Sequence, residues 1–323
     1  MSLSFFSKSN KIVNLIIKDH VIRFIELKQV SPLQITNSGE YYIPEGIIHD
    51  GRILDHDTLA TILEQCIDEW GIRKRSVRFI VPDSFITIRT IKVPAELKDD
   101  EIKGYLYLEL GETIHLPFED PVFDIKVIRT DRDKKDVLVF AGPEEIVTEY
   151  STLLSELTLK PIAADVSPLC LYRLLHYLDL TKPKQHTMIL QYDVTKVNIS
   201  IFHNHLPIFM RHITLITNDE DWQITPSYVD SKPMEEEFLQ AQYNDLIKEI
   251  THVMDFYRYS LHQDQVDRIL LTGDNPSLQH FYNQLENSFN QSIEIVKSIP
   301  TNDDQQVNRY FHLALGLALK GVQ

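Results

Sequence analysis

Histidine offers the first candidate chemistry in this chain. His203 and His205 are two residues apart, which on a strand puts both side chains on one face, and His212 follows closely, so three imidazoles are available to a metal. They flank Asn204 at what reads as a tight turn between two strands, so His203 and His205 are expected to face solvent, and no metal ligand is assigned. Paired carboxylates are the next candidates for acid and base work. Asp99-Asp100-Glu101 and Glu144-Glu145 each stand where a helix begins, and acids favour the positive end of a helix dipole without any catalytic role. Cys66 and Cys170 lie in apolar helical patterns with no Cys-x-x-Cys partner and read as reduced core thiols. No serine sits in a Gly-x-Ser-x-Gly frame, and neither a Walker loop nor a dinucleotide fingerprint occurs. No catalytic residue is assigned.

Charge narrows the classes further. The formal net charge of −15 repels a phosphate backbone, and the one dense basic run, Arg73-Lys74-Arg75 with Arg78, reads as a solvated loop ahead of a strand. Nucleic acid is not an expected partner. No apolar run approaches the ~18–20 residues that span a bilayer, and the opening MSLSFFSKSNK lacks the basic-then-apolar order of a signal peptide, so a cytoplasmic location is expected. Phe256, Tyr257 and Tyr259 form an aromatic stripe at the end of a long helical pattern, where core packing is the expected use.

The elements that would position any site fall into a repeat. Strands are expected at 12–17, 21–28 and 33–43, joined by the turns Lys18-Asp19-His20 and Val30-Ser31-Pro32, followed by an amphipathic helix at 57–70 that stops at Gly71. A second three-strand meander is expected at 188–192, 197–202 and 207–213, about 175 residues on. Two strand–hairpin–strand copies, each leading toward a helix, outline a duplicated α/β architecture: an actin-like, ribonuclease H-like, two-lobe fold. Between the copies, a strand at 86–93, a helix at 99–112, strands at 122–129 and 136–141 and a helix at 144–157 read as an inserted βαββα subdomain. The domain reading is a first lobe over residues 1–185 with the insertion at about 83–158, and a second lobe over 186–323 with a loop and helix insertion at about 214–264. The stretch 217–238, with seven carboxylates against Lys232 alone, reads as a loop.

Several strings carry a resemblance to a known family. They are Arg23-Phe24-Ile25-Glu26-Leu27, Leu116-Pro117-Phe118 ahead of Phe123-Asp124, Val137-Leu138-Val139-Phe140-Ala141, Lys160-Pro161-Ile162 leading to Asp165-Val166, and Asp255-Phe256-Tyr257. Arg268-Ile269-Leu270-Leu271-Thr272-Gly273 and the ending Ala314-Leu315-Gly316-Leu317-Ala318-Leu319 complete the set. In this order and spacing the chain resembles the PilM family, actin-like proteins of type IV pilus assembly related in fold to the division protein FtsA. The resemblance implies a scaffold at the inner face of the cytoplasmic membrane. Such a scaffold grips the extended N-terminal tail of a PilN-like membrane protein and joins it to the pilus assembly motor complex. It implies a tail groove between the first lobe and the inserted subdomain, for which Phe85, Ile86, Ile88, Leu116, Pro117 and Phe118 are the candidates.

The resemblance also implies an ATP site, and here the residues depart from the pattern. Actin-like proteins hold phosphates with small residues in both hairpin turns and organise magnesium with an aspartate. The first turn's acid and glycine fall on Ile16 and Lys18, while Arg23 keeps the basic position. The second turn's fall on Gln191 and Asp193, and the usual Gly-Gly pair is Gly273-Asp274. A degenerate nucleotide pocket is expected, with no cofactor, ATP and Mg being ligands only if the eroded turns still bind. Lys18 and Asp193 are left to pair across a closed cleft. The competing expectation is a working ATP-binding protein, a filament former or slow ATPase. A sugar or acid kinase on the same fold would need a catalytic base and phosphate glycines that the sequence lacks.

Overall fold

A computed structural model describes residues 12–215, 222–225, 228–231, 236–261, 264–300 and 306–321. The opening meander is β1 (Val13–Ile17), β2 (Val21–Gln29) and β3 (Gln34–Tyr42), all antiparallel. Every residue of β1 is buried, as befits a strand covered on both faces. A minimal hairpin, β4 (Ile48–His49) and β5 (Arg52–Ile53), turns at Asp50-Gly51 with φ of 47° and 79°, the two positive values that a type I′ turn requires. α1 (His56–Glu69) is capped by Asp55, whose carboxylate accepts the Thr58 amide at 3.0 Å. It buries Leu59, Ile62, Leu63, Cys66 and Ile67 on one face. The chain leaves it through Gly71 at φ 66° and enters β6 (Ser76–Ile80), parallel to β1.

β7 (Thr87–Pro94), α2 (Ile102–Leu108), β8 (Pro121–Thr130), β9 (Lys134–Pro143) and α3 (Glu144–Glu156) are the inserted βαββα, with sheet order β7-β9-β8. The sheet and α2 share a core of their own, with Val93, Ile102, Leu106, Phe123 and Val139 among its members. α3 turns back, and its Ile146, Tyr150, Leu153 and Leu154 pack in the first lobe's core. α2 is shorter than the 99–112 read from the pattern. β10 (Lys160–Asp165) then lies parallel to β6 at the edge of the first sheet, and α4 (Ser167–Tyr177) follows.

The second copy is β11 (Thr187–Tyr192), β12 (Lys196–His203) and β13 (Leu206–Thr214). The hairpin β14 (Trp222–Thr225) and β15 (Tyr228–Ser231) lies inside the stretch read as an acidic loop, the remainder of which is largely outside the described residues. α5 (Glu236–Asp255) runs into a π-helical turn at Phe256–Ser260, in which Tyr257 is buried and Phe256 and Tyr259 are exposed. β16 (Arg268–Thr272), α6 (Leu278–Ser288), β17 (Ser292–Ile295), the short pair β18 (Ile299–Pro300) and β19 (Gln306–Val307), and α7 (His312–Ala318) complete the chain.

The two sheets are the same object built twice. The first has the order β10-β6-β1-β2-β3 and the second β17-β16-β11-β12-β13. In each, a three-strand antiparallel meander is extended by two parallel strands. α4 and α7 form the layer between them: one apolar cluster joins Ile16, Ile25 and Ile80 of the first sheet to Ile189 and Leu270 of the second through these helices. The helices cross so closely that a Cβ on Gly316 would stand 2.0 Å from the Cys170 carbonyl oxygen. Arg78 donates to the carbonyls of Leu317 and Ala318 at 3.5 and 3.3 Å, satisfying the free C-terminal end of α7. Arg78 therefore serves the lobe junction, while Arg73 pairs with Glu64 and Asp68 in a solvated loop.

Candidate functional site at the interlobe cleft

The duplication brings the two hairpin turns face to face. Lys18 and Asp193 each follow directly on the first strand of their meander and close the same turn, Lys18 N–H to Val21 O and Asp193 N–H to Lys196 O, both at 2.9 Å. Equivalent positions thus carry opposite charges, and they meet: Lys18 Nζ lies 2.9 Å from Asp193 Oδ2, with side chains 12% and 1% exposed. Asp274 takes the rest of the first lobe's cationic face. Its Oδ2 accepts from Lys18 Nζ at 3.2 Å, from His20 Nε2 at 3.2 Å and from Arg23 Nη1. Arg23 also donates to Glu40 at 3.0 Å. Asp274 Oδ1 accepts the Val194 amide at 3.3 Å, and Asp193 Oδ1 accepts the Asp274 amide at 3.2 Å, so both acids are fixed by backbone as well.

Such an array holds its charges by mutual support. Burial on its own would raise the pKa of Asp274, but Lys18, His20 and Arg23 outweigh it and keep the carboxyl well below the ordinary value. Burial works against the Lys18 ammonium too, and Asp193 with Asp274 overcomes it, so Lys18 is raised. Asp193 is raised, by burial first and by the neighbouring charge of Asp274 second. Gly273 makes this approach possible: at φ 126° its α-carbon passes against Tyr192, where a Cβ would meet the carbonyl oxygen at 2.0 Å.

A second polar set extends the junction along the cleft. Asp19 accepts the amides of Asp50 and Gly51 at 2.9 and 3.0 Å and receives Lys196 Nζ at 3.3 Å from the other lobe. His212 bridges Asp50 Oδ1 at 3.0 Å and Asn198 Oδ1 at 2.8 Å, and Asn198 donates to the buried Asp83 at 2.7 Å. Asp83 has its pKa raised chiefly by burial. Asp19 with Lys196 thus repeats, with the charges exchanged between lobes, what Lys18 does with Asp193.

Little space remains. The void bounded by Lys18, Gln191, Asp193, Gly273, Arg309 and Tyr310 measures about 10 Å³, room for about one water. Gln191 Nε2 donates to Asp193 at 2.5 Å, and its Oε1 is buried without a hydrogen-bond partner. Arg309 donates to the Gly273 and Asn275 carbonyls at 3.2 and 3.4 Å, and Tyr310 lies under both Arg23 and Arg309 at 5.4 and 5.0 Å. The arrangement locks the lobes together. Among the described residues no group of three histidines, cysteines or acids is placed to hold a metal.

Of the residues singled out from sequence, Lys18, Arg23, Gln191, Asp193, Gly273 and Asp274 converge here. Ile16 does not line the void; it is 3% exposed in the apolar layer between the sheets. The histidines read as solvent-facing divide. His205 is exposed and bonds the Tyr172 hydroxyl at 2.9 Å, whereas His203 is half-buried and stacks on His186 with ring centres 3.9 Å apart. His20, Asp19, Asp50, Lys196, Arg309 and Tyr310 were not singled out, and His212, weighed only as a metal ligand, bridges Asp50 and Asn198 instead. Asp50-Gly51 carries its own signal, being the preferred dipeptide of a type I′ turn, and Asp19 and His20 stand beside Lys18. The groove candidates fall on two cores: Phe85 and Ile86 pack on the first lobe, Leu116 and Phe118 on the inserted sheet, with Ile88 half-buried on β7 and Pro117 exposed. Arg89 Nη1 donates to His115 O at 2.9 Å and ties the 110–118 segment to β7, which runs beside β13 of the second lobe.

Comparison with known proteins gives a consistent result. The family described as type IV pilus assembly protein PilM matches residues 15–219. Among solved structures, the PilM–PilN type IV pilus biogenesis complex matches with a TM-score of 0.78 at 20% identity, over 97% of this chain and 99% of that one. The ethanolamine utilization protein EutJ from Carboxydothermus hydrogenoformans gives 0.55 at 9% identity, over 96% and 89%. MreB5 of Spiroplasma citri bound to ADP gives 0.50 at 9% identity, over 97% and 96%. The fold is actin-like, and among the described residues no helix is long and apolar enough to cross a membrane.

Proposed function

Because the chain belongs to the type IV pilus assembly protein PilM family, we propose that it is a non-catalytic adaptor of the pilus machinery. It acts at the inner face of the cytoplasmic membrane, holding the N-terminal cytoplasmic tail of a PilN-like membrane protein and linking it to the assembly motor. Its nucleotide pocket is degenerate, and internal ion pairs take the place of a bound phosphate. The observation that carries this reading is Asp274. A carboxylate at a phosphate-facing turn repels an anion, and here it accepts from Lys18, His20 and Arg23, the donors that a phosphate would otherwise find. The tail runs between the first lobe and the inserted sheet, where Ile88 and the Leu116-Pro117-Phe118 segment offer apolar contact beside the β7 edge, a setting suited to an extended peptide.

The test is anisotropy titration of a fluorescent peptide with the sequence of the PilN-like protein's N-terminal tail from the same organism. Saturable binding at about 1–100 μM is expected, equivalent to roughly 5–8 kcal/mol. A peptide that stays unbound at millimolar protein contradicts the adaptor reading. Substituting Ile88→Ala is expected to weaken the tail while leaving the melting profile in place.

A further inference from the structure

The inserted subdomain carries a surface that the groove just described does not use. α2 ends in Tyr107 and Leu108, 49% and 81% exposed, and Leu108 is the most exposed large apolar side chain among the described residues. Tyr107 is not loose: its hydroxyl donates to Pro121 O at 3.1 Å and its ring packs on Phe123 with centres 4.7 Å apart. Tyr107 is thus an apolar contact with little side-chain freedom left to lose, and Leu108 projects into solvent next to it in the chain.

The segment that carries these two side chains is predominantly acidic, with Arg89 of β7 bonded to its His115 carbonyl. From Glu96 to Asp124 the sequence holds nine carboxylates against Lys98 and Lys103, a net charge of −7, nearly half of the chain's −15 in under a tenth of its length. Lys103 answers Asp124 at 3.7 Å, and Lys135 from β9 answers Asp99 at 2.8 Å. Glu112, Glu119 and Asp120 are exposed and have no ion-pair partner among the described residues. Such a field excludes the anionic inner leaflet of a membrane and attracts a basic segment.

Resting on the adaptor reading above, we propose that this face docks a Lys/Arg-rich segment of the membrane partner's tail. One apolar side chain of the segment sits against Tyr107 and Leu108, and its cations face Glu112, Glu119 and Asp120. The physical reason for such an occupant is general: cytoplasmic segments close to a membrane span are enriched in lysine and arginine. The face therefore reads the juxtamembrane part of the tail, and the groove reads the part beyond it.

The experiment titrates the full-length protein with two fluorescent peptides: the partner's whole cytoplasmic tail, and the same tail with every Lys and Arg replaced by Gln. Wild-type protein is expected to bind the native tail about tenfold more tightly than the neutralised one, with an affinity that falls as salt is raised from ~50 to ~500 mM. Leu108→Ser and the triple variant E112K/E119K/D120K are each expected to lose about tenfold toward the native tail, their circular dichroism melts unchanged because the side chains are exposed. Equal affinity for the two peptides, or variants within about twofold of wild type, overturns the docking face while leaving the adaptor intact. Failure of the wild type to bind the native tail overturns the adaptor reading, and this inference with it.

Discussion

Asp274→Asn tests the lock at its centre. The substitution keeps the size and the Oδ1 that accepts the Val194 amide, but it turns an NH2 group toward Lys18, His20 and Arg23. Lys18 and Arg23 then lose a carboxylate that is 2% exposed and keep, among the described residues, only Asp193 and Glu40 as their acidic partners. Charges ~4 Å apart at an effective dielectric constant of ~20 attract by about 4 kcal/mol, and breaking a buried pair from one side typically costs about 3–5 kcal/mol. At the ~2 °C per kcal/mol expected for a chain of this size, the melting temperature falls by roughly 6–10 °C. The assay is thermal unfolding by circular dichroism at neutral pH, with Asp68→Asn, on the solvated Arg73 pair, as the exposed control that leaves the melt in place. The sign with pH follows from the depressed carboxyl. Its contribution is complete above the unfolded pKa near 3.8 and is lost as pH falls through the lower folded value, so Asp274→Asn flattens that acid limb. A melt within about 1 °C of wild type refutes the view that this array holds the lobes together.

Other parts of the junction give independent outcomes. Gly316→Ala forces α4 and α7 apart at the Cys170 carbonyl and is expected to cost about 3 kcal/mol or more in urea unfolding; an unchanged midpoint contradicts the close crossing. His312, 1% exposed and bonded to Thr272 Oγ1 at 2.9 Å, is held neutral by burial, which brings its pKa down to about 4. Its folded pKa is below the unfolded one, so its contribution is complete above pH 6.5 and is lost as pH falls from 6.5 to 4, about 3 kcal/mol at ~1.4 kcal/mol per unit. Ring carbon shifts of His312 in an NMR titration are expected to stay at the neutral position at pH 5, and a midpoint near 6.5 is the contrary result. Cys66, whose thiol is pushed up to about 12 by burial, and the buried Cys170 are expected to resist a thiol reagent in the native protein and to react together on unfolding.

The fold was legible wherever period and repetition spoke together. The buried strands Val13–Ile17 and Thr187–Tyr192 and their hairpin partners stand out as apolar runs between polar turns, and their recurrence predicts a duplicated architecture. α2 was overread because the acids at 99–101 resemble a helix start, while its first helical residue in the structure is Ile102. The Lys18–Asp193 contact could be inferred because the duplication makes those positions equivalent and their charges are opposite. The roles of Asp274, Asp50 and Arg309 could not, because each depends on how two lobes approach in space, for which periodicity carries no signal. The same holds for Ile16: a strand residue's facing follows from alternation, but which layer it faces depends on α4 and α7, far away in the chain.

The account stands most directly on whether the cleft is a lock or a pocket. Isothermal titration calorimetry of the full-length protein with Mg-ATP decides it. A lock in which Asp193 and Asp274 occupy the phosphate-facing turns predicts no saturable heat at millimolar nucleotide, in wild type and in protein saturated with the tail peptide alike. A binding isotherm of one ATP per chain in the micromolar range would contradict it, because the lobes would then have to part, release Lys18 and Arg23 from Asp274, and seat a phosphate against two carboxylates.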